Sequence, residues 1–281
     1  MPRPSVADKR RTFRKLHVSG CWMIPNPWDV GSARYLQGLG FQALATTSSG
    51  FAWSVAHADN AVPRDMVLAH IAEIVGATDV PVNADFEGGY ADEPAGVAES
   101  VRLCCETGVA GLSIEDSTGN KDQPLYDIPF AVERMKAARA AIDKAGADVM
   151  LTGRAEGFIA GVPDLAQMIA RLKAYAAAGA DVLYAPGIRT REQIEAVCQA
   201  VAPKPVNFLN GAAFGHSVND LAAMGVRRIS VGGALARSAW GGFTRMAKEI
   251  AGEGTFTGFK DAASGAELNA FFTKDKAARG A

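Results

Sequence analysis

The sequence predicts a parallel (β/α)₈ barrel, and three observations carry that expectation. Short apolar runs alternate eight times with amphipathic segments of helical length. A glycine stands just before several of the runs, at Gly40, Gly108, Gly179 and Gly225. Polar residues capable of chemistry gather at the carboxyl ends of the runs, whereas ordinary turn residues (Asp79, Asp148, Asp181, Lys204) hold the opposite ends. A barrel of ~250 residues fits a chain of 281. The alternative is a doubly wound open sheet, which usually closes with fewer units. No shift in composition marks a linker, so one domain is expected over residues 1–281. It has a short polar N-terminal extension and a helical tail from about residue 253.

Taken in order, Trp22 to Pro25 reads as the first strand, and Asp29 caps a helix over Val30 to Leu39. Phe41 to Thr47 is the second strand, running into Thr46-Thr47-Ser48-Ser49-Gly50. An amphipathic helix over Pro63 to Ala77 leads through Asp79 to the third strand, Val80 to Ala84, which delivers Asp85 and Glu87 before the Gly88-Gly89 pair. A helix over Ala95 to Thr107 precedes strand four, Gly111 to Glu115. The polar segment Asp116 to Asp127 then intervenes before a helix from Pro129 to Ala145. Strand five, Val149 to Thr152, ends at Gly153-Arg154, and a helix runs from about Asp164 to Ala178. Strand six is Val182 to Ala185, with a helix near Arg191 to Ala200. Strands seven (Pro205 to Leu209) and eight (Arg228 to Val231) flank a short helix at Val218 to Met224. A last barrel helix covers Ala234 to Ile250, and the tail carries one more helical piece, Ala266 to Phe272.

Composition narrows the function classes. A hydrophobic fraction of 48% and a charged fraction of 21% suit a soluble enzyme. A net charge of −1 without a basic tract argues against nucleic acid or an anionic membrane as partner. No apolar stretch is long enough for a spanning helix. Met1 to Arg14 is basic and polar without an apolar core, so no secretory signal is expected and a cytoplasmic location is. The four cysteines, Cys21, Cys104, Cys105 and Cys198, show no metal or redox spacing and read as reduced, mostly buried thiols.

In a barrel all strand carboxyl ends converge on one mouth. Those ends offer Asn26, Trp28 and Asp29; Ser48, Ser49 and Gly50; Asp85 and Glu87; Glu115 and Asp116; Arg154 and Glu156; Asn207 and Asn210; and Gly232-Gly233. Asp85, Glu87 and Glu115 make an oxygen-rich group suited to Mg²⁺, with Mn²⁺ as substitute, because clustered carboxylates repel and favour a hard cation that keeps several waters. Arg154 offers a planar fork for a substrate carboxylate; its bland alternative is a salt bridge to Glu87 or Glu115. Backbone N–H groups at Ser49 and Gly50 stand where an anionic oxygen could bind, although a serine there is ordinarily a turn residue. Trp28, Asp59 and Asn210 complete the substrate-binding candidates. No lysine closes a strand, which argues against a Schiff-base aldolase. The histidines form no metal pair: His17 and His70 read as helix or surface residues, His57 and His216 as loop residues.

Six stretches, in order over roughly residues 20 to 240, then resemble the isocitrate lyase / phosphoenolpyruvate mutase superfamily. They are Asn26-Pro-Trp-Asp-Val-Gly-Ser-Ala-Arg34, Thr47-Ser-Ser-Gly50, Ala84-Asp-Phe-Glu-Gly-Gly-Tyr90, Ser113-Ile-Glu-Asp116, Gly153-Arg-Ala-Glu156 and Gly179-Ala-Asp-Val182. Its members include 2-methylisocitrate lyase-like, oxaloacetate decarboxylase-like and phosphonopyruvate hydrolase-like enzymes. The resemblance implies a barrel whose last helix is swapped between subunits in a dimer of dimers. It also implies Mg²⁺ held by Asp85, directly or through water, with Glu87 and Glu115 in the shell. Ser49, Gly50 and Arg154 would hold an α-oxo acid, and the shared chemistry is a pyruvate-type enolate formed as a C–C or C–P bond breaks.

The departures bear on substrate. The lyases carry a Lys-Lys/Arg-Cys-Gly-His stretch after strand four, where this chain has Asp116-Ser-Thr-Gly-Asn-Lys-Asp-Gln-Pro124 without cysteine. Phosphonate-acting members carry a lysine six residues beyond the matching glutamate, and Lys121 stands at that offset from Glu115. Their histidine near the end of strand six is replaced by Ala185-Pro186, and Asn83 stands where an Asp-x-Asp strand would have an acid. The leading expectation is a Mg²⁺-dependent lyase, or related hydrolase or decarboxylase, acting on a small α-oxo or α-hydroxy carboxylate. Glu115, Arg154 and Lys121 would serve catalysis, and the Asp116 to Asp127 loop would close over the mouth. The alternatives are C–P chemistry of the phosphonopyruvate hydrolase or carboxyphosphonoenolpyruvate mutase type, and an inactive metabolite-binding barrel.

Overall fold

The computed structural model describes residues 3–279. Eight strands, all parallel, form one sheet in the order β1-β8-β7-β6-β5-β4-β3-β2. Along the chain the elements are α1 (Val6–Leu16), β1 (Trp22–Ile24), α2 (Val30–Gly38), β2 (Leu44–Ala45), α3 (Ser48–Ser54), α4 (Arg64–Ala77), β3 (Val82–Asp85), α5 (Pro94–Glu106), β4 (Gly111–Glu115) and α6 (Ile128–Lys144). They continue with β5 (Met150–Arg154), α7 (Leu165–Ala177), β6 (Val182–Tyr184), α8 (Arg191–Val201), β7 (Val206–Leu209), α9 (Val218–Ala223), β8 (Arg228–Ser230), α10 (Ala234–Glu253) and α11 (Gly265–Arg279). Among the described residues no helix is long and apolar enough to cross a membrane.

The gap between β1 and β2 is closed by single contacts rather than a ladder. Ala45 N donates to Pro25 O at 3.1 Å, and Asn26 Nδ2 donates to Thr46 O at 2.9 Å. Asn26 Oδ1 also accepts from Val231 N and Gly232 N, each at 2.9 Å. One buried amide thus stitches β1 to both neighbours, so Asn26 is a closing residue of the barrel.

The sequence reading missed α1 and α3. Ser5 and Asp8 form a capping box that starts α1, a signal masked by the basic composition of the segment. That helix carries Phe13 into the amino-terminal end of the barrel, where it is fully buried against Trp22 and His17. Gly111 makes room for it: a Cβ there would stand 2.6 Å from the Phe13 ring. His17, expected on a helix or surface, is the buried C-cap of α1. The second strand was expected over Phe41 to Thr47 and keeps only Leu44–Ala45. Thr47 leaves the sheet to cap α3, its side chain accepting from Gly50 N. Helix α11 extends the expected tail piece and packs on α2 of the same chain through Tyr35 against Phe271 and a buried Arg34–Asp275 ion pair.

Candidate active site

The strand register raises acids and an arginine to the same level of the barrel. Asp85 pairs with Ser113 across β3–β4, Glu115 with Arg154 across β4–β5, and Arg154 with Tyr184 across β5–β6. Side chains two residues apart on one strand share a face, so Ser113 and Thr152 lie one layer below Glu115 and Arg154. Arg154 is the hub of the upper layer. Its Nη1 donates to Asp85 Oδ1 at 2.8 Å and meets Glu115 Oε1 at 2.7 Å, and its Nε donates to Glu156 Oε1 at 2.8 Å. Its guanidinium lies 4.8 Å from the centre of the Tyr184 ring. Burial alone would lower the Arg154 pKa, but Glu115, Glu156 and Asp85 hold it charged, well above the usual arginine range.

This geometry revises one expectation. The Arg154 fork is occupied by protein carboxylates, and only Nη2 has no hydrogen-bond partner among the described residues. A bidentate clamp on substrate is therefore not available without displacing an acid; Nη2 offers one edge toward the cavity. The salt-bridge partners are Asp85, Glu115 and Glu156, and Glu87 is not among them.

Glu87 sits apart in a strained turn. Its φ of 46° and that of Tyr90 at 56° are left-handed values that cost non-glycine residues ~1–3 kcal/mol. Gly89, at φ 79°, takes the turn freely and donates its N–H to Phe86 O at 2.9 Å. Burial, reinforced by Asp85, Glu115 and Asp59, pushes the Glu87 carboxyl up to about 7. Glu115 is raised as well, first by burial and then by Asp85 and Asp59, with Arg154 opposing. Burial likewise raises Glu156, and Arg154 pulls it back. The cluster is short of positive charge.

Among the described residues no three acids converge as a ready set of metal ligands. The reason is visible in the contacts: Arg154 Nη1 stands between Asp85 and Glu115. Of the expected Asp85, Glu87 and Glu115, Asp85 and Glu115 share Arg154 Nη1 and do not converge on a common point with Glu87. The donor chemistry still fits a hard cation held mainly through its own waters, because acids with raised pKa values gain from any added positive charge.

Two adjoining cavities open on this cluster. The mouth cavity, about 740 Å³, is lined by Asp59, Glu87, Glu115, Lys121 and Arg154 among others. A deeper one of about 190 Å³ runs from Ser49 and Gly233 past Asp85 and Arg154 into the barrel. Lys121 is exposed on the segment between β4 and α6, which folds back on itself through a bridge between Ser117 and Leu125. That segment is anchored by buried Asp116, which accepts from Arg171 at 3.0 Å, from Tyr175 and from Glu156 N at 2.8 Å.

Other expected residues fall differently. Ser49 lines the deep cavity and Asp59 lines both. Gly50 lines neither cavity: its N–H is spent on Thr47 Oγ1 at 3.3 Å, and a Cβ there would meet Thr47, Trp28 and Ala236. Trp28 packs against Gly50 outside both cavities. Asn210 also lies outside them, with a buried Oδ1 that has no partner among the described residues. Ser48 was passed over as a binding residue, yet its N–H holds Asp85 Oδ2 at 3.0 Å; its place directly after the strand-end threonines was the available signal. Asn207 turns inward to Arg228 and Ser230.

Comparison with known proteins gives the relatives of this chain. A Burkholderia cenocepacia J2315 protein provisionally described as a lyase/mutase is 49% identical, with a TM-score of 0.92 over 95% of this chain and 97% of that one. A second protein of the same organism, provisionally described as a phosphonomutase, is 36% identical, with a TM-score of 0.80 over 87% and 99%. The oxaloacetate decarboxylase of Paraburkholderia xenovorans is 30% identical over 234 residues, covering 80% of this chain and 75% of the relative. The model of phosphoenolpyruvate phosphomutase matches residues 13–251. The chain belongs to the phosphoenolpyruvate phosphomutase family, within the superfamily of lyases and mutases that includes isocitrate lyase.

Proposed function

We propose that the protein is a Mg²⁺-dependent lyase that cleaves a C–C bond of a small α-oxo or α-hydroxy carboxylate through a pyruvate-type enolate, with decarboxylation of oxaloacetate as the first reaction to try. The observation that carries this reading is the acid layer around Arg154, which has more negative than positive charge and opens on a cavity. Asp85 would hold the hydrated cation, with Glu87 and Glu115 in its shell and Mn²⁺ as substitute. Bound there, the cation supplies Lewis-acid stabilisation for the charge that develops on the substrate's oxo oxygen. Arg154 Nη2 and Ser49 orient the substrate, Glu115 keeps Arg154 in place and charged, and the segment bearing Lys121 closes the mouth against water.

The similarity to the oxaloacetate decarboxylase supports the C–C reading. A second reading, C–P cleavage or transfer, is favoured by Lys121, which lines the mouth cavity, and by the similarity to the phosphonomutase. We read residues 1–281 as one barrel domain with a helical tail, working in the cytoplasm. The exposed Leu235, Trp240 and Phe243 on α10 support its packing against a second copy, in a dimer of dimers with this last barrel helix exchanged. A substrate panel with Mg²⁺ tests the reaction. Pyruvate and CO₂ from oxaloacetate, or cleavage of a 2-hydroxy dicarboxylate, supports the first reading; phosphate release from phosphonopyruvate overturns it in favour of the second.

A further inference from the structure

Arg228 is a buried cation that the proposed chemistry does not use. It opens β8, points into the barrel beside Asn207, and is 3% exposed. Its Nε donates to Asn207 Oδ1 at 2.7 Å, Nη2 to Thr152 Oγ1 at 3.2 Å, and Nη1 lies 3.4 Å from His17 Nε2. All three partners are neutral. His17 Nδ1 lies 2.8 Å from Phe13 O and donates to it, which leaves Nε2 as the acceptor facing Arg228. Burial and the charge of Arg228 push His17 down to about 3, so it carries no charge itself. Among the described residues Arg228 makes no salt bridge.

A guanidinium has five N–H donors, and these contacts use three of them. An ionised group buried without a counter-charge is costly, and proteins ordinarily keep one only where something pairs with it. The floor of the deep cavity supplies the place for that partner, because Arg228 lines it together with Asn83, Ser113, Tyr184 and Ser230. At about 190 Å³ the cavity has room for about six waters at ~30 Å³ each, enough for a four-carbon diacid.

We propose that Arg228 is the floor of an anion subsite in the barrel interior that holds the carboxylate of a dicarboxylic substrate lying farthest from the acid rim. This deepens, and rests on, the reading of the cavity as a carboxylate site: it assigns the second carboxylate of a diacid to Arg228. Asn207 and Thr152 orient the guanidinium, and the Ser230 hydroxyl, on the same cavity lining, is the further donor for the bound carboxylate.

Succinate is the probe, because it carries two carboxylates and no oxo group for a metal to recruit. Its binding is measured by calorimetry with EDTA present, for wild type, Arg228→Met and Arg228→Lys, alongside oxalate with Mg²⁺. Succinate should bind wild type, weaken at least tenfold in Arg228→Met, and be partly retained in Arg228→Lys, with oxalate unchanged within about twofold. No succinate binding by wild type, or equal binding by Arg228→Met, would overturn the subsite. Failure of wild type to bind oxalate with Mg²⁺ would instead overturn the proposed function, because the floor is read from metal-free succinate alone.

Discussion

Two arginines face the same chamber with opposite surroundings. Arg154 in the upper layer is held by three carboxylates, whereas Arg228 one layer lower touches only an amide, a hydroxyl and a neutral imidazole. The rim therefore lacks positive charge and the floor lacks negative charge. A cation at the rim and an anion at the floor would relieve both at once, which a metal and a diacid together provide. The same side chain thus serves as structural counter-ion in one layer and as an open site in the next, and only its neighbours decide which.

The largest effect should come from Asp85. Replacing it with alanine removes the acid that positions Arg154 and would hold the proposed cation, so metal-dependent kcat should fall ~10³-fold, measured at saturating Mg²⁺. Arg228→Met should leave kcat within a few-fold and raise KM for a diacid. If the two variants behaved alike, the division between rim and floor would be wrong.

Stability should report the acids that Arg154 serves. Arg154→Met strands Glu115 and Glu156 as buried acids and should cost ~3–5 kcal/mol in urea unfolding. Removal of a loop anchor is a smaller change. Tyr175→Phe takes one hydrogen bond from buried Asp116 and should cost ~1.5–3 kcal/mol, with KM rising more than kcat falls if that anchor positions the Lys121 segment.

The smallest effect is a pH slope at the rim. Glu87 keeps its proton up to about 7 in the folded protein, against an ordinary 4.5 in the unfolded chain. The folded state then binds more protons between those values, so this residue makes stability fall as pH rises from 4.5 to 7 and leaves it lowered above 7. Glu87→Gln should flatten that part of the melting profile by about 3 °C. Mg²⁺ should flatten it in wild type, because added positive charge lowers the Glu87 pKa.

How much of this could be read in the sequence follows the range of the forces involved. Strand positions and most caps are local: Asp29 caps its helix as expected, and β4 coincides with its predicted span. The gathering of Asp85, Glu115 and Arg154 on one rim follows from barrel topology, so it too was legible. The polar Ser5-to-Asp8 cap of α1 was hidden in a basic stretch, and the serine run after β2 read as a loop although Thr47 makes it a helix. Long-range pairing was out of reach. That Arg154 would spend its fork on its own acids, that Asn26 would close the barrel, and that Arg228 would find no acid all depend on strands distant in the chain.

The most direct test of the rim is proton NMR of pyruvate in D₂O, with and without Mg²⁺, for wild type and Asp85→Ala. Metal-dependent loss of the methyl signal in wild type, absent in the variant, is the predicted result, since enolate formation is common to every reaction considered for this site. Exchange that survives chelation or the Asp85→Ala change, or a methyl signal that wild type with Mg²⁺ leaves intact, would contradict it.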